Sequence, residues 1–426
     1  MKRLLSTNCS VMVLLTLIIA FTGCMKDKIR YTYQISTPIY EPLTKFRESI
    51  KSTPAISIST PGKIGVFGKY IFMSETGVGI HIIDNSDPSN PKNISFINIP
   101  GNQDFAIRGN AMYADAYSDL VSFDISDPTK VITKNFDANV FPYNSIYFYG
   151  SSTDPDSINA IVGWSTRDTT VDYSPNNSGR VYPVVFSGCP NCYTLAAVPT
   201  AYSSTVSSGV VTGTNGSLSR FTIINDYLYT VDYSNLNTYS IANPFQPSYS
   251  NQVMVDYHVE TIYPFKDKLF VGTNNGVYMY DIQASPGNPV LNGEFTHMRG
   301  CDPVIADNNY AYVTINDSSA CLGFNNELQV VNIQDLNNSF LVQSYQLTHP
   351  IGLSKDSNNL FVCDGKDGLK VFNANDVNNL QMIADLKDAE VYDVIAMNGL
   401  AIVLAKNGLY EYDYSDISNI HLIGKL

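Results

Sequence analysis

The chain has 426 residues, 44% of them hydrophobic and only 15% charged, with 29 Tyr, 20 Phe and a single Trp. That length holds two or three ordinary domains or one long all-β unit, and the Tyr and Phe content suits half-buried strands. A net charge of −13 argues against a nucleic-acid surface, which needs clustered Lys and Arg.

Lys2 and Arg3 form a positive start, followed by an apolar run from Val11 to Phe21. The run is too short to span a bilayer comfortably, so residues 1–23 read as a signal peptide. It ends in Phe21-Thr22-Gly23-Cys24, which resembles the lipobox of bacterial lipoproteins, although Phe21 stands where Leu is usual. The resemblance implies that Cys24 is acylated and becomes the mature N-terminus. Several acyl chains on one residue give stable membrane anchoring, where one chain alone is marginal. Residues 24–60 have scattered Pro and no sustained period, which predicts a tether. The expected location is the outer membrane, with the periplasmic or the outer face left open.

From residue 61 onward the chain repeats itself. Gly79–Asp84 (G-I-H-I-I-D) is an alternating β-branched run closed by an Asn/Asp/Pro turn. The run recurs at Asp119–Pro128, Gly276–Ile282, Glu327–Ile333, Gly368–Asn373 and Gly408–Tyr414, with a weaker copy at Asn235–Ile241. Aligned on Asp84, Asp124, Ser240, Asp281, Asn332, Asn373 and Asp413, the copies lie 40, 116, 41, 51, 41 and 40 apart. A period near forty is the length of one four-stranded propeller blade. The long interval holds one degenerate unit with an insertion at about 165–217. The expected fold is therefore an all-β propeller over 61–426, with eight four-stranded blades or alternatively seven.

Runs such as Gly79–Asp84, Leu120–Asp124 and Gly276–Asp281 resemble the LVIVD repeat of bacterial surface and lipoproteins. The Arg299-Gly300-Cys301-Asp302-Pro303 segment, with Cys321 and Asp393-Val394, is similar to a lipid-anchored branch of that family. The resemblance implies a propeller and assigns no catalytic residue.

In a four-stranded meander, first-strand entrances and second-to-third turns share one face. This gathers Asp104, Arg220, Glu260, Asp302 and Asp393 at the mouth of a central channel, with Glu75, Asp115, Asp232 and Asp364 farther out. Such a mouth suits a cation or a sugar or polycationic ligand. The same carboxylates also suit a structural role, accepting backbone N–H groups in turns. His349 lies near the channel-side loops; His81, His258, His297 and His421 are dispersed without metal-ligand spacing. Cys301 and Cys321 lie on one face, where a disulfide is reasonable, and Cys189-Pro190-Asn191-Cys192 fits a small loop-closing disulfide. Cys363 reads as a packed core thiol. No nucleophile elbow, phosphate loop or dinucleotide fingerprint is present, so no cofactor is expected beyond a cation at the mouth. Two functions follow. One is a membrane-anchored binding scaffold for a protein, peptide or glycan; the other is a glycan-active hydrolase or lyase using the channel carboxylates.

Overall fold

The computed structural model describes residues 29–141, 148–149, 159–173, 211–297, 303–317 and 325–426. The described residues within 41–160 and 191–426 form one compact unit, and those within 1–40 and 161–190 a second. The predicted signal peptide, Cys24, Asp302, Cys301, Cys321, Cys189 and Cys192 lie outside the described residues.

The stretch expected as a tether carries three elements: strand β1 (Ile29–Pro42), helix α1 (Leu43–Ser49) and strand β2 (Lys51–Thr53). Helix α1 buries Leu43 and Phe46, and its Arg47 Nη2 meets Asp119 Oδ2 at 2.6 Å.

The larger unit is built from meanders of four strands. The first blade is β3 (Pro61–Phe67), β4 (Tyr70–Glu75), β5 (Gly79–Asp84) and β6 (Lys92–Asn98). The second is β7 (Phe105–Arg108), β8 (Ala111–Ala116), β9 (Asp119–Asp124) and β10 (Ile132–Asp137). Between this blade and the next lie β11 (Phe148–Tyr149), β12 (Asn159–Tyr173) and β13 (Thr214–Asn215). The third blade is β14 (Phe221–Ile224), β15 (Tyr227–Val231), β16 (Asn235–Ser240) and β17 (Ser248–Met254). The fourth is β18 (Val259–Phe265), β19 (Lys268–Thr273), β20 (Gly276–Asp281) and β21 (Val290–Thr296). The fifth is β22 (Val304–Ala306), β23 (Tyr310–Ile315), β24 (Glu327–Asn332) and β25 (Phe340–Gln346). The sixth is β26 (Leu353–Asp356), β27 (Asn359–Cys363), β28 (Leu369–Asn373) and β29 (Gln381–Leu386). The seventh is β30 (Val391–Met397), β31 (Leu400–Ala405), β32 (Gly408–Asp413) and β33 (His421–Lys425).

The all-β propeller expectation is borne out, with eight sheets among the described residues. Seven contain a four-stranded meander, and the eighth has three strands in the order β1–β12–β11. First strands touch in succession from β7 through β14, β18, β22 and β26 to β30, and β30 packs on β3. Ile64, Ile71 and Met73 of the first blade share one core with Ile395, Ile402 and Leu404 of the seventh. The alternative count of seven therefore describes the ring of four-stranded sheets. The degenerate unit around residues 142–217 contributes β11 and β12 of the three-stranded sheet, whose third strand is β1, and β13, which pairs with β3.

The repeat signature has a local cause. Each third strand lies between neighbours and between blades, so it reads as a continuous apolar run; Ile80, Ile82 and Ile83 are all fully buried. The Asp or Asn that ends it turns the chain with its own side chain. Asp84 accepts from Ser86 N at 2.9 Å, Asp281 from Gln283 N at 2.9 Å and Asp413 from Ser415 N at 2.8 Å. Every fourth strand then carries a register shift against its third strand, at the Ile82/Ile83 and Val371/Phe372 steps for example. A bulge on each outer strand bends the exposed edge away from pairing with other chains.

Candidate functional site

The axis of the ring is crossed by the chain itself. Residues 211–215 run between the first and second blades. Thr214 and Asn215 pair with Val66 and Gly65 of β3, and Thr212 bridges Arg108 of β7. Asn215 Nδ2 donates to Phe105 O at 2.8 Å and Phe221 O at 3.2 Å. The next four residues, Gly216 to Ser219, touch first strands of blades on opposite sides. Gly216 N donates to Ile64 O at 3.1 Å, and Ser219 O accepts from Ile262 N at 2.8 Å. Ser217 Oγ donates to Asp393 Oδ1 at 3.0 Å and accepts from Leu353 N at 2.8 Å. A Gly-Ser sequence suits this path, because a Cβ on Gly216 would stand 2.0 Å from Asp393 Oδ2.

This crossing decides what the predicted mouth residues do. Asp393 is 1% exposed and holds Ser217 and its own Val394 N–H, the latter at 3.0 Å. Burial pushes its carboxyl up to about 6, against the pull of Lys63 and its hydrogen bonds. Asp104 is equally buried; it accepts from Phe105 N at 2.7 Å and from Arg220 N. Its carboxyl is raised by burial, with the charges of Lys63 and Arg220 opposing. Lys63, at the entrance of β3, donates through Nζ to Leu218 O at 2.5 Å. Burial depresses its ammonium, which the charges of Asp104 and Asp393 partly offset. Sequence reading missed Lys63, although it occupies in the first blade the place that Asp104 and Asp393 occupy in theirs.

Between the second, third and fourth blades lies a cavity of about 500 Å³. It brings together Asp104, Asp115, Arg220, Asp232 and Glu260 from the predicted set. Phe141, Phe221, Tyr233 and His258 supply its aromatic surface. Tyr233 is 41% exposed; its hydroxyl lies 3.1 Å from His258 Nε2, and the two rings meet edge-on at 4.6 Å. His258 has a positive φ of 58°, which is uncommon for a residue with a side chain.

The carboxylates of this cavity are not equivalent. Asp232 is committed to its turn: Oδ1 accepts from Ser234 N and Asn235 N at 3.2 and 3.0 Å, and Oδ2 from Asn237 Nδ2 at 3.2 Å. Asp115 is 5% exposed. It accepts from Asn102 Nδ2, Gln103 N and Asp104 N at 2.9, 2.8 and 3.0 Å, all on Oδ1. No described donor reaches its Oδ2. Burial pushes this carboxyl up to about 7, with the Asp104 and Gln103 N–H groups opposing. Arg220 Nε is buried without an acceptor.

Other predicted residues stand apart from the cavity. Asp364 is fully buried and accepts from His349 N at 2.6 Å and Thr348 N at 3.0 Å. His349 Nδ1 lies 3.3 Å from Asp317 Oδ1 at an exposed position. Glu75 pairs with the fully buried His81 at 3.1 Å. Cys363 is buried, and burial drives its thiol well above the ordinary value, as a packed core cysteine requires. Among the described residues no group of three His, Cys, Asp or Glu is placed to hold a metal ion. The arrangement offers instead a recessed, aromatic-walled pocket whose described wall includes Asp115 Oδ2, which no described donor reaches, and the unpartnered Nε of Arg220.

No protein-family model matches the chain, and no curated protein matches it. Among solved structures 511 chains match, a breadth that speaks to fold and not to one activity. A protein from Lactobacillus plantarum aligns with a TM-score of 0.52 at 13% identity, covering 86% of this chain and 96% of its own. This is a likeness of fold. Two more distant matches are the computationally designed Ika8 protein and BamB from Moraxella catarrhalis. Ika8 has a TM-score of 0.48 at 8% identity, covering 88% of this chain and 90% of its own. BamB has 0.44 at 7%, covering 89% and 97%.

Proposed function

We propose that the chain is a lipid-anchored propeller of the LVIVD-repeat type at the bacterial outer membrane, serving as a binding scaffold for a protein, peptide or glycan. The observation that carries this reading is the use of the mouth carboxylates. Asp104 and Asp232 spend both oxygens on backbone and side-chain donors and Asp393 is buried against the axial segment, while the cavity lined by Asp104 and Asp232 stays open. A pocket of this volume with few convergent polar groups is built for recognition. Anchoring rests on the Phe21–Cys24 lipobox resemblance, and metabolic labelling with palmitate tests it: the wild type takes up label and Cys24→Ala does not.

One observation favours the second reading, a hydrolase or lyase. Asp115 has a carboxyl near neutrality beside Glu260 in the same cavity, and such a group is poised for proton transfer. Turnover assays on a panel of glycans separate the two. An enzyme would lose turnover by orders of magnitude in Asp115→Asn, whereas a scaffold has none to lose.

A further inference from the structure

The walls of the cavity narrow its ligand. An anion placed there meets the carboxylates of Asp104, Asp115, Asp232 and Glu260; a cation meets the guanidinium of Arg220. A neutral ligand rich in hydroxyls escapes both conflicts. Each hydroxyl donates one hydrogen bond and accepts others, and the two unpartnered groups of the wall are of opposite kind. Asp115 Oδ2, left over by donors that all reach Oδ1, accepts, and Arg220 Nε, buried without an acceptor, donates. The unmade bond on buried Arg220 Nε costs about 1–3 kcal/mol, so a ligand that completes it gains there. The third requirement is an apolar platform. Tyr233 provides one with its ring at the cavity edge, held by the contact to His258.

We propose that this cavity is a saccharide site: vicinal hydroxyls of one sugar ring bridge Asp115 Oδ2 and Arg220 Nε, and the ring's C–H face stacks on Tyr233. The cavity volume of about 500 Å³ lies within the 300–1,000 Å³ of small-molecule sites. The inference rests on the reading of this cavity as the binding site, and selects the glycan among the ligand classes named above.

The test is calorimetric titration of the full chain, in a detergent free of sugar, with N-acetylglucosamine, methyl α-mannoside and methyl β-galactoside. Tetraethylammonium and acetate serve as charged probes. At least one saccharide binds, and Tyr233→Ala and Asp115→Asn each weaken it tenfold or more. Asn keeps the Oδ1 acceptor for the 102–104 turn, and thermal melting of both variants checks that they fold. If no saccharide binds while a charged probe binds in a Tyr233-dependent way, the saccharide inference falls and the cavity reading stands. Saccharide binding untouched by both variants overturns the cavity reading as well, and so does a protein that binds none of the five.

Discussion

Ser217 Oγ is shared between Asp393 of the seventh blade and the Leu353 N–H of the sixth, at 3.0 and 2.8 Å. One hydroxyl thus fastens the segment that crosses the axis to two adjacent blades. Its removal by Ser217→Ala leaves the buried Leu353 amide without its acceptor and takes one donor from Asp393 Oδ1, which keeps the Val394 N–H. The expected loss is about 2 kcal/mol, read as a lower urea midpoint with an unchanged slope. An unchanged midpoint would mean that the crossing segment contributes nothing to the folded ring.

Asp393 gives a pH signature. Its folded carboxyl sits at about 6, above the ordinary Asp value of about 3.9, so the folded state holds this proton more tightly than the unfolded chain. Stability from this group is therefore full below about pH 4 and declines as pH rises through 6. Asp393→Asn keeps a neutral side chain throughout. Relative to that variant the wild type gains on the order of 2 kcal/mol between pH 7 and pH 4. Chemical denaturation of both proteins across this range measures it, and a difference independent of pH would contradict the assignment.

Glu75 predicts the opposite slope. Burial opposes its charge, but hydrogen bonds from Ser59, His81 and Thr60 outweigh burial and hold its carboxyl below the ordinary value. The stability it adds is present above the unfolded pKa and is lost as pH falls through the lower folded one. Glu75→Gln is less stable than the wild type at pH 7, by about 1 kcal/mol, and the gap closes in acid. A gap that widens in acid would refute this.

Gly368 and Gly68 form a matched pair. Both have positive φ, 82° and 60°, which costs a residue with a Cβ about 1–2 kcal/mol. At Gly68 an added Cβ meets nothing within 4 Å, whereas at Gly368 it would stand 2.0 Å from Leu386 O. Gly68→Ala should cost only the backbone preference, and Gly368→Ala at least 2 kcal/mol more, because the fourth strand of its blade must shift. Equal melting temperatures for the two variants would contradict the close approach at β28.

The repeat was legible because burial between blades writes an apolar run and the closing Asx turn writes an Asp or Asn, as at Asp84 and Asp281. The shared face was legible from strand order, which placed Asp104, Asp115, Arg220, Asp232 and Glu260 together. The axial crossing was not. Gly216-Ser217-Leu218-Ser219 has no periodicity, and its small residues read as loop although they fit the space beside Asp393. Lys63 was missed because Pro61-Gly62-Lys63 reads as a turn and its partner, Leu218 O, is a backbone group 155 positions away. The Tyr233–His258 platform joins two blades, and no local pattern announces such a pair.

The most direct test of the account is a crystal structure of the full chain followed at the axis of the ring. The account predicts continuous density for residues 211–219, with Ser217 Oγ bonded to Asp393 and Lys63 Nζ on Leu218 O, and an open cavity beside Arg220. An open axial channel, with this segment outside the ring and Asp104 and Asp393 facing solvent, would contradict it and return the candidate site to the channel mouth.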